Sequence, residues 1–236
     1  MPARRLWILA GALLALCLLF LLWGLAGRIG FILMLRGTKL AALLLVGASV
    51  GIATVLFQTV TANRILTPGI LGFDSLFLFL QTLLVMLLGG FGYATLAITP
   101  KFLIEAAVMM AAATALFGLL IARGPRDLTR MLLVGVVLGV LMRSASGLMQ
   151  RLMDPNEFAM VQGAMFASFG AVDRASLAVA AALSIPVAGL ALWLAPSLDV
   201  MGLGRARAVA LGLPFDRLVM ATLAMVAGLT AVSTAL

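Results

Sequence analysis

From Arg36 to Gly72 the chain reads RGTKLAALLLVGASVGIATVLFQTVTANRILTPGILG. Between Leu40 and Phe57 there is no charged residue, over about the length a helix needs to cross a bilayer. Gly47 and Gly51 stand one helical turn apart, a small-xxx-small spacing at which another helix backbone is expected to approach closely. The chemistry then changes: Gln58, Thr61 and Asn63 are followed by Pro68 and Gly69. Pro and Gly break a helix, and freed backbone groups at a membrane boundary need water or protein. By its residues alone the segment is either a plain loop or the wall of a wetted cavity.

Six further apolar runs flank it: Leu6 to Leu25, Leu76 to Tyr93, Phe102 to Ala122, Met131 to Met149, Leu177 to Ala195, and Leu218 to Leu236. With 236 residues, 64% hydrophobic and 10% charged, and a mean hydropathy of +1.24, the chain has too little polar surface to cover a soluble globule. Its solvent is the bilayer. Long unbroken runs, rather than short alternating ones, select helices over a barrel. The expected fold is all-α, a polytopic helix bundle forming one transmembrane domain over residues 1–236. The last run reaches Leu236 with no flanking charge, aromatic anchor or polar tail, which reads as a span followed by more chain.

Arg4 and Arg5 precede the first run without a small-residue cleavage site, so this run reads as a retained span. With the N-terminus in the cytoplasm, the cytoplasmic side carries Arg4, Arg5, Arg64, Arg123, Arg126, Arg130, Arg205, Arg207 and Arg217. The opposite side carries Arg28, Arg36, Lys39, Lys101, Arg151 and Arg174. That is the positive-inside bias. Scattered in this way, the net charge of +8 is a topology signal and not a nucleic-acid surface.

Other classes fall away. The single cysteine, Cys17, allows no internal disulfide, and histidine is absent. Imidazole catalysis and His metal sites are therefore excluded, and neither catalytic nor metal-binding residues are expected. The fourteen methionines, spread through apolar runs, read as packing. No Walker sequence occurs, so the chain does not hydrolyse ATP itself.

One charge lies well inside a run. Arg143 in hydrocarbon costs about 2.5–3.5 kcal/mol unless it is paired or wetted. Glu105, at similar depth in the preceding run, offers a structural ion pair. Alternatively Arg143, with Ser144, Ser146 and Gln150, faces a translocation pathway and attracts an anionic ligand.

Two further segments stand out. In LDVMGLGRARAVALGLPFDRL, Leu198 to Leu218, a short helix is expected from Ala206 to Leu211, ended by Gly212 in a left-handed cap, with Pro214 opening the next helix. DPNEFAMVQGAMFASF, Asp154 to Phe169, reads as an amphipathic external segment with Phe158, Phe166 and Phe169 at the interface.

The order of a basic pair, a Gly-rich span, Gln58, Asn63, Leu66, Pro68, Gly69, Leu71 and Gly72 resembles the iron-siderophore and cobalamin ABC permeases of the FecCD family. Arg64 departs from the Pro usual there. Phe73 to Leu76 replace a common Gly-Ala pair. The second segment is similar to the family's coupling loop at Gly204, Ala208, Leu211 and Gly212, with Arg205 and Ala206 where acidic residues often stand. The third resembles a branch that handles ferric siderophores.

The resemblance implies about seven of ten transmembrane helices, with a short helical cytoplasmic coupling loop at about 198–217. It implies a permease subunit of an importer in the bacterial cytoplasmic membrane, working by alternating access. Partners implied are a cytoplasmic ATPase dimer, which would hold the ATP and Mg, a second permease protomer, identical or homologous, and an external siderophore-binding protein. No cofactor and no nucleic acid are implied, and the surrounding lipid is the remaining partner. Gly204, Arg205, Arg207, Ala208, Leu211 and Gly212 would form the ATPase-coupling loop, and Gln58 and Asn63 would join Arg143, Ser144, Ser146 and Gln150 along the pathway. Cobalamin or haem would suit the same motifs. A membrane-embedded enzyme or assembly factor lacks a polar constellation to support it.

Overall fold

The computed structural model describes residues 2–24, 29–122, 128–165 and 172–236. Arg28, Arg123, Arg126, Phe166 and Phe169 lie outside the described residues. The described chain is helical: α1 Pro2–Leu22, α2 Ile29–Thr61, a 3-10 turn Pro68–Leu71, α3 Phe73–Thr95, α4 Ile98–Ala122, α5 Leu128–Leu152, α6 Pro155–Met165, α7 Arg174–Trp193, α8 Ala195–Met201, α9 Arg205–Ala210 and α10 Phe215–Ala235. Seven long helices take up the seven apolar runs, and six of them are long and apolar enough over their described residues to cross a membrane.

The largest departure in boundary is α2, expected from Leu40 and observed from Ile29. Its first turns hold Arg36 and Lys39, which the sequence places in a connection. Arg36 donates to the carbonyls of Phe20 and Leu21, both at 3.3 Å, and of Trp23. These are the orphan carbonyls at the end of α1, where a cation also complements the helix dipole. An arginine that satisfies a neighbouring helix end is compatible with helix at its own position.

α10 is the hub. Of its membrane-crossing window 61% is buried, against 28% or less for the other five candidate spans. It packs chiefly on α2 and α4, then on α7 and α3. Leu223, Val226, Leu229 and Ala231 share one buried cluster with Phe57 and Met109, which are themselves fully enclosed. In a bilayer such contacts are favoured by close packing rather than by escape from water. α1 lies at the opposite extreme, with none of its window buried.

The core joins the end of α2 (Phe57, Val60), Leu66, Phe73, α8 (Leu198, Met201) and the start of α10 (Leu218, Val219). These mark one end of the bundle, called the near end. The α3–α4 and α5–α6 connections lie at the far end. Asp173 caps α7 by accepting from the amides of Ala175 at 3.1 Å and Ser176 at 3.4 Å.

The expected close approach at Gly47 and Gly51 is not made among the described residues: a Cβ at either would meet nothing within 4 Å. Gly72 makes the tight backbone contact instead. A Cβ there would lie 2.7 Å from Gly139 Cα and 3.4 Å from Gly135 O. The small-residue face that receives another backbone is therefore Gly135 and Gly139 of α5.

Candidate functional site

At the near end, the polar residues after α2 are engaged in stopping the helix. Ala62 takes φ 49°. The amide of Asn63 donates to Gln58 O at 3.2 Å, and Gln58 Nε2 donates to the carbonyl of Arg64 at 2.8 Å. Asn63 Oδ1 accepts from the amide of Ile65 at 3.0 Å, an Asx turn. Thr61 Oγ1 returns to Phe57 O at 2.8 Å. The 3-10 turn then delivers Gly72 at φ 86°, its amide donating to Gly69 O at 3.0 Å. Gln58 and Asn63, candidates for the pathway, thus hold the turn that seats Gly72 on α5.

The same end carries α8 and α9. Gly212 sits at φ 84°. Its amide donates to Val209 O at 2.9 Å while that of Leu213 donates to Ala208 O at 3.0 Å. This is the paired-bond glycine cap expected from the sequence. Ala208 is fully buried and anchors α9, whereas Leu203, Val209 and Leu211 are more than half exposed. Arg205 Nη2 contacts Asp216 Oδ2 at 3.1 Å, so this arginine already has an acidic partner in its own chain. Arg207, Gly204 and Arg217 are exposed.

On α5 the four pathway candidates do not share one face. Ser146 is fully buried and donates to Met142 O at 2.8 Å. Gln150 Nε2 donates to Thr82 Oγ1 at 3.2 Å. At about 100° per residue, Ser146 and Gln150 lie with Gly139 on the side towards α3, Arg143 falls at the edge of that side, and Ser144 points away. Arg143 and Ser144 are exposed. The ion pair between Arg143 and Glu105 is not formed: Glu105 Oε1 lies 3.8 Å from Lys101 Nζ, and Arg143 has no ionic partner among the described residues. One turn on the same helix brings Lys101 to Glu105, a pairing available without crossing helices.

A polar chain not singled out from the sequence lies in the far half. Tyr93 OH donates to Gln81 Oε1 at 2.6 Å, and Lys101 Nζ bonds the same hydroxyl while lying 3.9 Å from the ring centroid. Gln81, Thr82 and Glu105 are all buried. The contact from Tyr93 back to Gln81 requires the break in α3 at Gly89, φ 69°, ψ 165°. Glu157 of α6 reaches that break, its Oε1 accepting from the amide of Gly90 at 3.1 Å. Lys101 and Glu105 at helical spacing, with the only tyrosine of the chain close before them, were the available signal.

The sequence pattern of the FecCD transport family matches residues 26–236. The chain belongs to that family. Among curated relatives of this FecCD member, the petrobactin import system permease protein YclO of Bacillus subtilis (strain 168) is 38% identical over 97% of the chain and 72% of its own length. The petrobactin import system permease protein FatC of Bacillus anthracis is 33% identical over 85% of the chain, which spans 57% of that protein. A solved metal-chelate type ABC transporter in an inward-facing conformation superposes with a TM-score of 0.83, at 18% identity, over 99% of this chain and 75% of the other. At that identity the likeness concerns the fold alone, a bundle of long apolar helices.

Proposed function

We propose that this chain is the permease subunit of an ABC importer that carries a ferric siderophore across the bacterial cytoplasmic membrane. The observation that carries the reading is the 38% identity, over nearly the whole chain, to a protein named for petrobactin import. A ferric complex of petrobactin is accordingly the first substrate to test, ahead of cobalamin and haem.

In this reading the near end faces the cytoplasm, as does the N-terminus. The α8–α9 loop, at about 198–217, docks on an ATPase dimer that holds ATP and Mg. Exposed Leu203, Val209 and Leu211 supply apolar contact, and Arg207 and Arg217 supply charge for an acidic rim. Arg205, held by Asp216, stiffens the loop. A second protomer, identical or homologous, covers the open face of α5. An external binding protein delivers the chelate at the far end.

Arg143 attracts an anionic chelate into the pathway with Ser144 beside it, while Ser146, Gln150, Gln58 and Asn63 support the helices that form the wall. Iron arrives already coordinated, so this chain needs no metal ligand of its own.

The test is uptake of radio-iron as ferric petrobactin in cells lacking their own siderophore permeases and supplied with the chain, a partner ABC ATPase and an external siderophore-binding protein. Saturable uptake that needs the ATPase supports the reading. Cobalamin uptake with no iron uptake would overturn the substrate assignment.

A further inference from the structure

The long helices divide by packing into two groups. The 3-10 turn, α3, α5 and α6 pack chiefly on one another, and α2, α4, α7 and α10 do the same. Contact between the groups is thinner and falls mainly where α3 meets α10 and α4. Along the first half of α3 that seam is apolar: Phe73, Leu76, Phe77 and Leu80 press on the core around α10. Towards the far end the seam becomes polar.

We infer that Lys101, with Glu105, Tyr93 and Gln81, forms a positioning clasp that holds the α3/α5/α6 group against the α4/α10 group at the far end. Three observations converge on it. First, α3 does not continue straight: a regular helix would separate the Cα atoms of Gln81 and Tyr93 by about 18 Å, yet their side chains meet at 2.6 Å. The break at Gly89 folds the last turn back, and Glu157 of α6 fastens the break through the amide of Gly90. Second, the folded-back Tyr93 meets Lys101 of α4 through its hydroxyl, with the ammonium 3.9 Å from the ring centroid, so a side chain of α4 holds the end of α3 directly. Third, Glu105, 3% exposed, stands 3.8 Å from the same ammonium. Among the described residues its Oε1 has no hydrogen bond, and Lys101 is the cation beside it.

Ionisable groups inside a bilayer protein are costly unless they have partners, and here each partner lies on the seam. Apolar residues would fill the space at lower cost. A charged pair shared with a tyrosine across the seam instead fixes direction and register, as polar contacts between membrane helices do. α3 is thereby tied at its far end to α4 through Lys101 and to α6 through Glu157, and near its middle to α5 through Gln150 and Thr82. Arg143 rides on the α5 member of the clasped group.

The inference rests on the transport reading for its consequence but not for its geometry, and the experiment separates the two. Spin labels at Leu87 of α3 and Ile104 of α4, both more than half exposed, report across the seam. Labels at Leu87 and Leu148 of α5 report within one group. The chain is studied with its partner subunits in lipid nanodiscs, Cys17 replaced by Ser, and labelled chains diluted so that only intrachain distances count. Lys101→Met and Glu105→Gln should broaden the 87–104 distance distribution and leave 87–148 unchanged, with Lys101→Arg restoring the native width. Tyr93→Phe, which removes one oxygen, serves as the mild variant if the charge variants fail to fold, and it should broaden the same pair.

Unchanged 87–104 widths in Lys101→Met and Tyr93→Phe, or equal broadening of both pairs, overturn the clasp. In uptake, Lys101→Met should lower the maximal rate by about threefold or more while the half-saturating chelate concentration is unchanged. A loss confined to half-saturation overturns the positioning role and makes Lys101 a ligand contact. If the wild-type chain moves no ferric siderophore, the transport reading fails and the distance pairs judge the clasp by themselves.

Discussion

Replacing Gly72 with Ala tests how the near-end turn is built. Its φ of 86° lies in the left-handed region, which costs an L-residue with a side chain about 1–2 kcal/mol. The new Cβ would also sit 2.7 Å from Gly139 Cα. That neighbour is backbone and cannot swing aside, so relief requires moving α5 against the turn, an overpacking cost of about 1–3 kcal/mol. The sum is about 2–5 kcal/mol. Gly139→Ala meets the same gap from the other side, with Gly72 Cα at 3.0 Å, but its residue is helical. It carries the packing cost alone, offset by about 1 kcal/mol of improved helix propensity. Gly72→Ala should therefore be the worse of the two by about 2 kcal/mol. Unfolding of the purified chain in mixed micelles by titrated SDS, followed by circular dichroism, measures both. A Gly72→Ala chain as stable as wild type, or more stable than Gly139→Ala, would refute the argument.

Other outcomes follow from the same geometry. Gly47→Ala, facing open space, should not lower the stability of the isolated chain, and in the same titration a loss above about 1 kcal/mol would contradict the open face. Arg143→Ala should lower ferric siderophore uptake by about tenfold or more while leaving the protein in the membrane, with Arg143→Lys retaining part of it; full uptake by the Ala variant removes Arg143 from the pathway. Asp216→Ala breaks a half-exposed pair and should cost less than about 1 kcal/mol, whereas Arg207→Glu should abolish co-purification with the ATPase, and intact co-purification argues against Arg207 as a docking charge. Glu157→Ala strips the acceptor from the Gly90 amide and should destabilise by about 1–3 kcal/mol, while Glu157→Gln, which keeps an oxygen, should remain close to wild type by the same measure.

The membrane bundle could be read from composition and run length because hydrocarbon leaves a chain few ways to satisfy its backbone. The stop at Gly212 was legible for a similar reason: a short helix followed by Gly and then Pro has one common ending. What escaped the sequence depended on contacts between distant segments. Arg36 looked like a loop residue because its partners, the carbonyls of Phe20, Leu21 and Trp23, belong to another helix. Gly47 and Gly51 carried a packing spacing that the described residues leave open, while Gly72, reached across to α5, carried none. Glu105 was matched with Arg143 on depth alone, yet Lys101 stood one turn away. The break at Gly89, which brings Tyr93 back to Gln81, follows from an amide held by α6 and leaves no local mark beyond a pair of glycines.

The 33 residues of α2 span about 50 Å, against about 30 Å for the hydrocarbon of a typical bilayer. Even tilted by about 40°, the steep end of what membrane helices adopt, α2 would cover about 38 Å along the normal. Its first turns still expose Phe31, Met34 and Leu35, with Arg36 and Lys39 following. The surplus must be met by lipid that thickens around α1 and α2, or by apolar turns standing in the headgroups. Acyl-chain length thereby becomes a variable of this fold: thicker membranes should seat α2 more upright, and thin ones should tip it together with the α1 end that Arg36 holds.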